Sequence, residues 1–109
     1  EASALYIIKE LLDAGATVSA FDPQAMDNTR QIYGDQIQYA GDPYVALNNA
    51  DALIIVTEWQ EFRVPNFDSI GERLKNKVIF DGRNLYNLND LRQTGFYYQS
   101  IGRPTVKPE

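Results

Sequence analysis

The sequence contains no cysteine and no histidine among its 109 residues. A disulfide framework, a Cys/His zinc site, a thiol nucleophile and a Ser-His-Asp triad are therefore excluded within this chain. No apolar run approaches the ~20 residues that a membrane-spanning helix needs. Basic residues are also scarce: ten Lys and Arg stand against fifteen Asp and Glu, a formal net charge of -5. A surface for nucleic acid or an anionic membrane needs a broad basic field, so neither partner is expected. A small anionic ligand needs only one or two local Arg or Lys residues and stays open. None of the seven glycines forms a G-x-G-x-x-G loop, so the dinucleotide fingerprint is missing. The acids show no metal-ligand spacing, and no metal is expected. Glu1-Ala2-Ser3 lacks the basic flank and apolar stretch of a signal peptide. Together with the absence of Cys this points to a cytoplasmic location. A helical pattern is already under way by Ser3 or Ala4, so the chain reads as a piece of something longer.

What is present suffices for one domain over residues 1–109, since 44% of the residues are apolar and can form a core. Ala4, Leu5, Ile7, Ile8, Leu11 and Leu12 form a stripe at helical spacing that ends before Gly15. Thr17 to Phe21 reads as a strand closed by Asp22-Pro23. A short helix is expected over Gln24 to Tyr33, and an edge strand over Ile37 to Tyr39. Asp42 and Pro43 suit the N-cap and first position of a helix running to about Asn48. Ala52 to Val56 is an apolar, β-branched run that suits a strand covered on both faces. A helix over Phe67 to Leu74, a strand over Val78 to Phe80, a helix over Asn89 to Thr94 and a strand over Phe96 to Ser100 complete the pattern. The residues from 103 to 109 are expected to form a loose tail. This alternation predicts an α/β, three-layer, Rossmann-like domain with a mostly parallel sheet in the order 2-1-3-4-5.

In such sheets ligands sit beyond the carboxyl ends of the strands, which directs attention to three loops. Asp22 follows the first strand; binding a ribose hydroxyl there would require the missing glycine loop, so a strand-end turn is the simpler role. Glu58 and Trp59 follow the third strand, where they either line a cleft or close the top of the core. Asp81-Gly82-Arg83-Asn84 follows the fourth. Arg83 offers a planar donor fork suited to phosphate, and Gly82 permits a close backbone approach or a positive φ. The competing role is a turn capped by Asp81, with Arg83 paired to a nearby acid.

Two other uses of this architecture fit less well. A receiver-type signalling module needs an Asp closing the third strand, where this chain has Thr57. A flavodoxin-like module needs a Ser/Thr/Gly-rich loop after the first strand, where this chain reads Asp22-Pro23-Gln24-Ala25.

Several stretches, in order, resemble the C-terminal UDP-binding domain of the UDP-glucose/GDP-mannose dehydrogenase family. They are Glu1 to Leu12, Gly15-Ala16, Phe21-Asp22-Pro23, Ala50 to Leu53, Thr57 to Phe62, Phe80 to Tyr86, Gly95-Phe96 and Ile101 to Pro104. The Thr-Glu-Trp and Phe-Asp-Gly-Arg-Asn elements are the most specific. The resemblance implies an oligomeric enzyme, a homodimer or higher, in which another domain holds NAD. It implies oxidation of UDP-glucose at C6 to a carboxylate in two NAD-dependent steps, through a thioester on a cysteine outside these residues. It also implies a central strand upstream of residue 1, contact between Arg83 and the UDP-sugar with Asp81, Gly82 and Asn84 in support, and no catalytic residue in this segment.

Overall fold

The computed structural model describes residues 2–22, 26–57 and 64–108. They fall into two compact units, Glu1–Ala46 and Leu47–Glu109.

In the first unit the apolar stripe forms α1 (Ala2–Asp13). Gly15 stops it with φ 90°, a conformation glycine adopts without steric cost. The Ala16 amide then donates back to the Leu11 carbonyl at 2.9 Å, using an acceptor the helix end leaves open. The chain continues into β1 (Ser19–Ala20), α2 (Met26–Tyr33), a 3₁₀ turn (Gly34–Gln36) and β2 (Gln38–Tyr39). β1 and β2 run parallel with Ser19 opposite Gln38. The Tyr33 hydroxyl donates to the Leu5 carbonyl at 2.7 Å and ties α2 to α1. Asp42 caps the next turn as expected, accepting from the Tyr44 amide at 2.8 Å, but only a 3₁₀ turn over Val45–Leu47 follows.

The second unit holds the better-formed core. β3 (Leu53–Ile55), β4 (Val78–Asp81) and β5 (Tyr97–Ser100) form a parallel sheet in that order. α3 (Phe67–Arg73) and α4 (Leu88–Arg92) provide its crossovers. Each helix has an Asn N-cap: Asn66 accepts from the Ser69 amide, and Asn87 from the Asn89 amide. Period-2 alternation sends Leu53, Ile55, Ile79 and Tyr98 inward, where they join Ile70, Leu74, Leu91 and Phe96.

The α/β organisation with parallel sheets is therefore the one the alternation predicts. The described strands pair as β1-β2 in the first unit and β3-β4-β5 in the second, which agrees with those neighbours in the order 2-1-3-4-5. Two details differ. The run Ala52 to Val56 is not covered on both faces, because Ile54 remains 38% exposed. The tail after residue 103 is not loose. Val106 is buried, and its amide and carbonyl both bond Tyr98 at 2.9 Å in an antiparallel bridge. An extended segment beside an edge strand satisfies its own backbone by pairing with it, and composition alone does not reveal that.

Candidate ligand loop at the end of β4

β4 ends on Asp81, whose side chain points inward and is 2% exposed. A carboxylate at that depth is stable only when its oxygens are satisfied. Oδ1 accepts from the Arg83 amide at 2.9 Å; Oδ2 accepts from the Leu85 amide at 2.8 Å and the Tyr98 hydroxyl at 2.6 Å. Asp81 thus caps the turn that follows it, as sequence reasoning allowed, and also ties that turn to β5.

Gly82 continues the ladder toward β3, its amide donating to the Ile55 carbonyl at 2.8 Å. A Cβ at this position would stand 3.1 Å from that carbonyl oxygen, so glycine serves the close approach. The left-handed backbone occurs instead at Asn84, with φ 52°. Asparagine tolerates that region, and here its side chain is engaged twice. Nδ2 donates to the Ile101 carbonyl and Oδ1 accepts from the Ile101 amide, both at 2.9 Å. Between these anchored neighbours, the exposed Arg83 side chain sits at the carboxyl end of the sheet.

Two members of the assembly were not among the sequence-predicted site residues. Tyr98 is completely buried, and its hydroxyl accepts from Arg103 Nη2 at 2.8 Å while donating to Asp81. Arg103 also donates from Nη1 to the Tyr86 carbonyl and from Nε to the Ser100 hydroxyl, each at 2.8 Å. The available signal was the inward parity of Tyr98 in β5. A polar atom at such a position needs a partner.

Burial, together with the Asp81 hydrogen bond and charge, pushes the Tyr98 hydroxyl from 10.0 up to about 12, with Arg103 opposing. A folded-state value above the unfolded one stabilises the fold fully below pH 10 and is lost as pH rises toward 12. The stability at stake across that window is roughly 2–3 kcal/mol. Urea unfolding between these pH values should therefore show a steeper alkaline loss in the wild type than in Tyr98→Phe. Parallel curves would mean that Tyr98 ionises without cost to the fold.

The structure brings Asp81, Gly82, Arg83 and Asn84 together on one turn. Glu58, Trp59 and Pro23 lie outside the described residues. Asp22 is half-buried just after β1. Among the described residues, no group of three or more His, Cys, Asp or Glu could hold a metal, and no helix is long and apolar enough to cross a membrane.

A parallel α/β segment with an arginine loop at the carboxyl end of its sheet has the form of a nucleotide-ligand domain. The chain belongs to the UDP-glucose/GDP-mannose dehydrogenase family: residues 1–88 match that family's UDP binding domain. It is 41% identical to a UDP-glucose 6-dehydrogenase of Rhizobium meliloti, over 95% of this chain and 24% of that protein. It is 42% identical to a UDP-glucose 6-dehydrogenase of Bacillus subtilis, over 97% of this chain and 23% of that one. The chain thus spans about a quarter of the length of these relatives. Among solved structures, a UDP-glucose dehydrogenase from the archaeon Pyrobaculum islandicum superposes with a TM-score of 0.69 at 27% identity. That match covers 92% of this chain and 21% of that one.

Proposed function

We propose that these 109 residues act as one nucleotide-sugar-binding domain of a longer, cytoplasmic, oligomeric NAD-dependent dehydrogenase. Its substrate is UDP-glucose, oxidised at C6 to UDP-glucuronate in two steps. The observation that carries this reading is the loop after β4. Asp81 and Asn84 fix its backbone, Gly82 seats it against β3, and Arg83 extends from it at the end of the sheet where such folds bind ligands.

The guanidinium is always charged and presents a planar fork, which matches two oxygens of a diphosphate at once. Asp81, occupied by three donors of its own chain, supports the loop and is not a proton carrier for the reaction. The residues described do not fit NAD, because β1 runs into Phe21 and Asp22 with no glycine-rich turn between them. NAD and the thiol therefore belong to other parts of the enzyme, and this chain alone is inactive.

The test is steady-state kinetics on the full-length enzyme. Arg83→Ala should weaken UDP-glucose binding about ten- to a hundred-fold, the equivalent of one charge-assisted hydrogen-bonding group, without lowering the melting temperature. Arg83→Lys should be clearly impaired as well, because lysine keeps the charge and loses the fork. A lower melting temperature with an unchanged KM would make Arg83 a structural ion-pair residue and reject the site. The isolated chain, given UDP-glucose and NAD in the same assay, should form no NADH.

A further inference from the structure

We infer that Arg103 is a positioning residue for Arg83, acting through Tyr98 and Asp81; this rests on the reading of Arg83 as the UDP-sugar contact. Arg103 lies beyond the turn it serves, and its three donors point in three directions. Nη1 holds the Tyr86 carbonyl, where the turn ends. Nη2 holds the Tyr98 hydroxyl, which passes the interaction to Asp81, where the turn begins. Nε holds Ser100 at the end of β5, which keeps the guanidinium itself in register.

The Tyr98 hydroxyl is polarised in one direction, accepting from a cation and donating to a carboxylate, and such serial bonds strengthen one another. The carboxylate then fixes the amides of Arg83 and Leu85. The turn is gripped at its start by Asp81, at its middle by the Asn84–Ile101 pair and at its end by Arg103. Arg83 is the residue within that grip that contacts the ligand in the proposed reading. Arg103 is thus a second arginine that need not touch the substrate for its loss to be felt there. A ligand pays less to bind a side chain whose backbone is already ordered.

In the full-length enzyme, Arg103→Lys removes the three-way fork and Tyr98→Phe removes the relay hydroxyl. Each should raise the KM for UDP-glucose about five-fold or more with kcat within about two-fold. Amide exchange over residues 82–86, measured without ligand, should quicken in both. In an Arg83→Ala background neither change should raise KM further, because the effect passes through Arg83. A fall in melting temperature with wild-type KM and exchange over 82–86 would reduce Arg103 to an anchor of the tail and overturn the inference. So would a KM rise that persists undiminished without Arg83. Failure of the underlying reading is visible separately, as an Arg83→Ala enzyme whose own KM is unchanged.

Discussion

Replacing Asp81 with alanine is expected to remove about 3–5 kcal/mol of unfolding free energy, a large part of what holds a domain of this size together. Three donors lose their acceptor at once: the amides of Arg83 and Leu85 and the hydroxyl of Tyr98. The two amides lie on a turn that water can reach after a small opening. The Tyr98 hydroxyl is completely buried, and it still receives a hydrogen bond from Arg103 with nowhere to donate its own proton. Asp81→Asn sets the scale. Its amide retains one oxygen, which can face Leu85 and Tyr98, while its NH₂ is turned toward the Arg83 amide, so the loss should be smaller, about 1–2 kcal/mol. Urea unfolding of the two variants beside the wild type decides the matter. Equal, small losses would show that the carboxylate is incidental to the turn.

The second large effect is expected at Phe96, which is 1% exposed between α4 and β5. Its ring lies 5.9 Å from that of Phe67, which meets Tyr86 edge-on at 5.3 Å, and Tyr86 lies 6.1 Å from Tyr98. The four rings form a row that runs from Phe96, past Phe67 of α3, to the hydrogen bonds around Asp81. Phe96→Ala removes the end of the row and leaves a cavity, at a cost of about 3–5 kcal/mol. Phe96→Leu keeps most of the volume and should cost less than ~1.5 kcal/mol. Thermal unfolding should rank the variants wild type, leucine, alanine. An alanine variant within about 1 kcal/mol of wild type would mean that the helices do not depend on this row.

Local rules read much of this molecule because local forces build it. The stripe in α1, its stop at Gly15 and the inward parity of β3, β4 and β5 depend on neighbours within a turn or two. The role of Asp81 as a turn cap is of the same kind, since both amides it accepts lie within four residues. The bonds from Asp81 to Tyr98, Asn84 to Ile101 and Arg103 to Tyr86 each cross seventeen residues, and no propensity or spacing encodes them. They exist because β4 and β5 are adjacent, which places the ends of both strands at one rim. The pinned tail was hidden for the same reason: Pro104 and Pro108 suggest extended chain, and only the edge of β5 supplies a partner for it.

The bridge at Val106 also bears on solubility. In a parallel strand, alternate residues offer their amides and carbonyls to opposite sides; Tyr97 bonds toward β4, leaving Tyr98 to face outward from the last strand. An open row of that kind is a template on which a foreign strand can add, and repeated addition is how fibrils grow. Here both outward groups of Tyr98 are occupied by Val106. Two prolines, which have no amide hydrogen to give, stand on either side of it at Pro104 and Pro108. A second molecule meeting this rim therefore finds the outward amide and carbonyl of Tyr98 already filled.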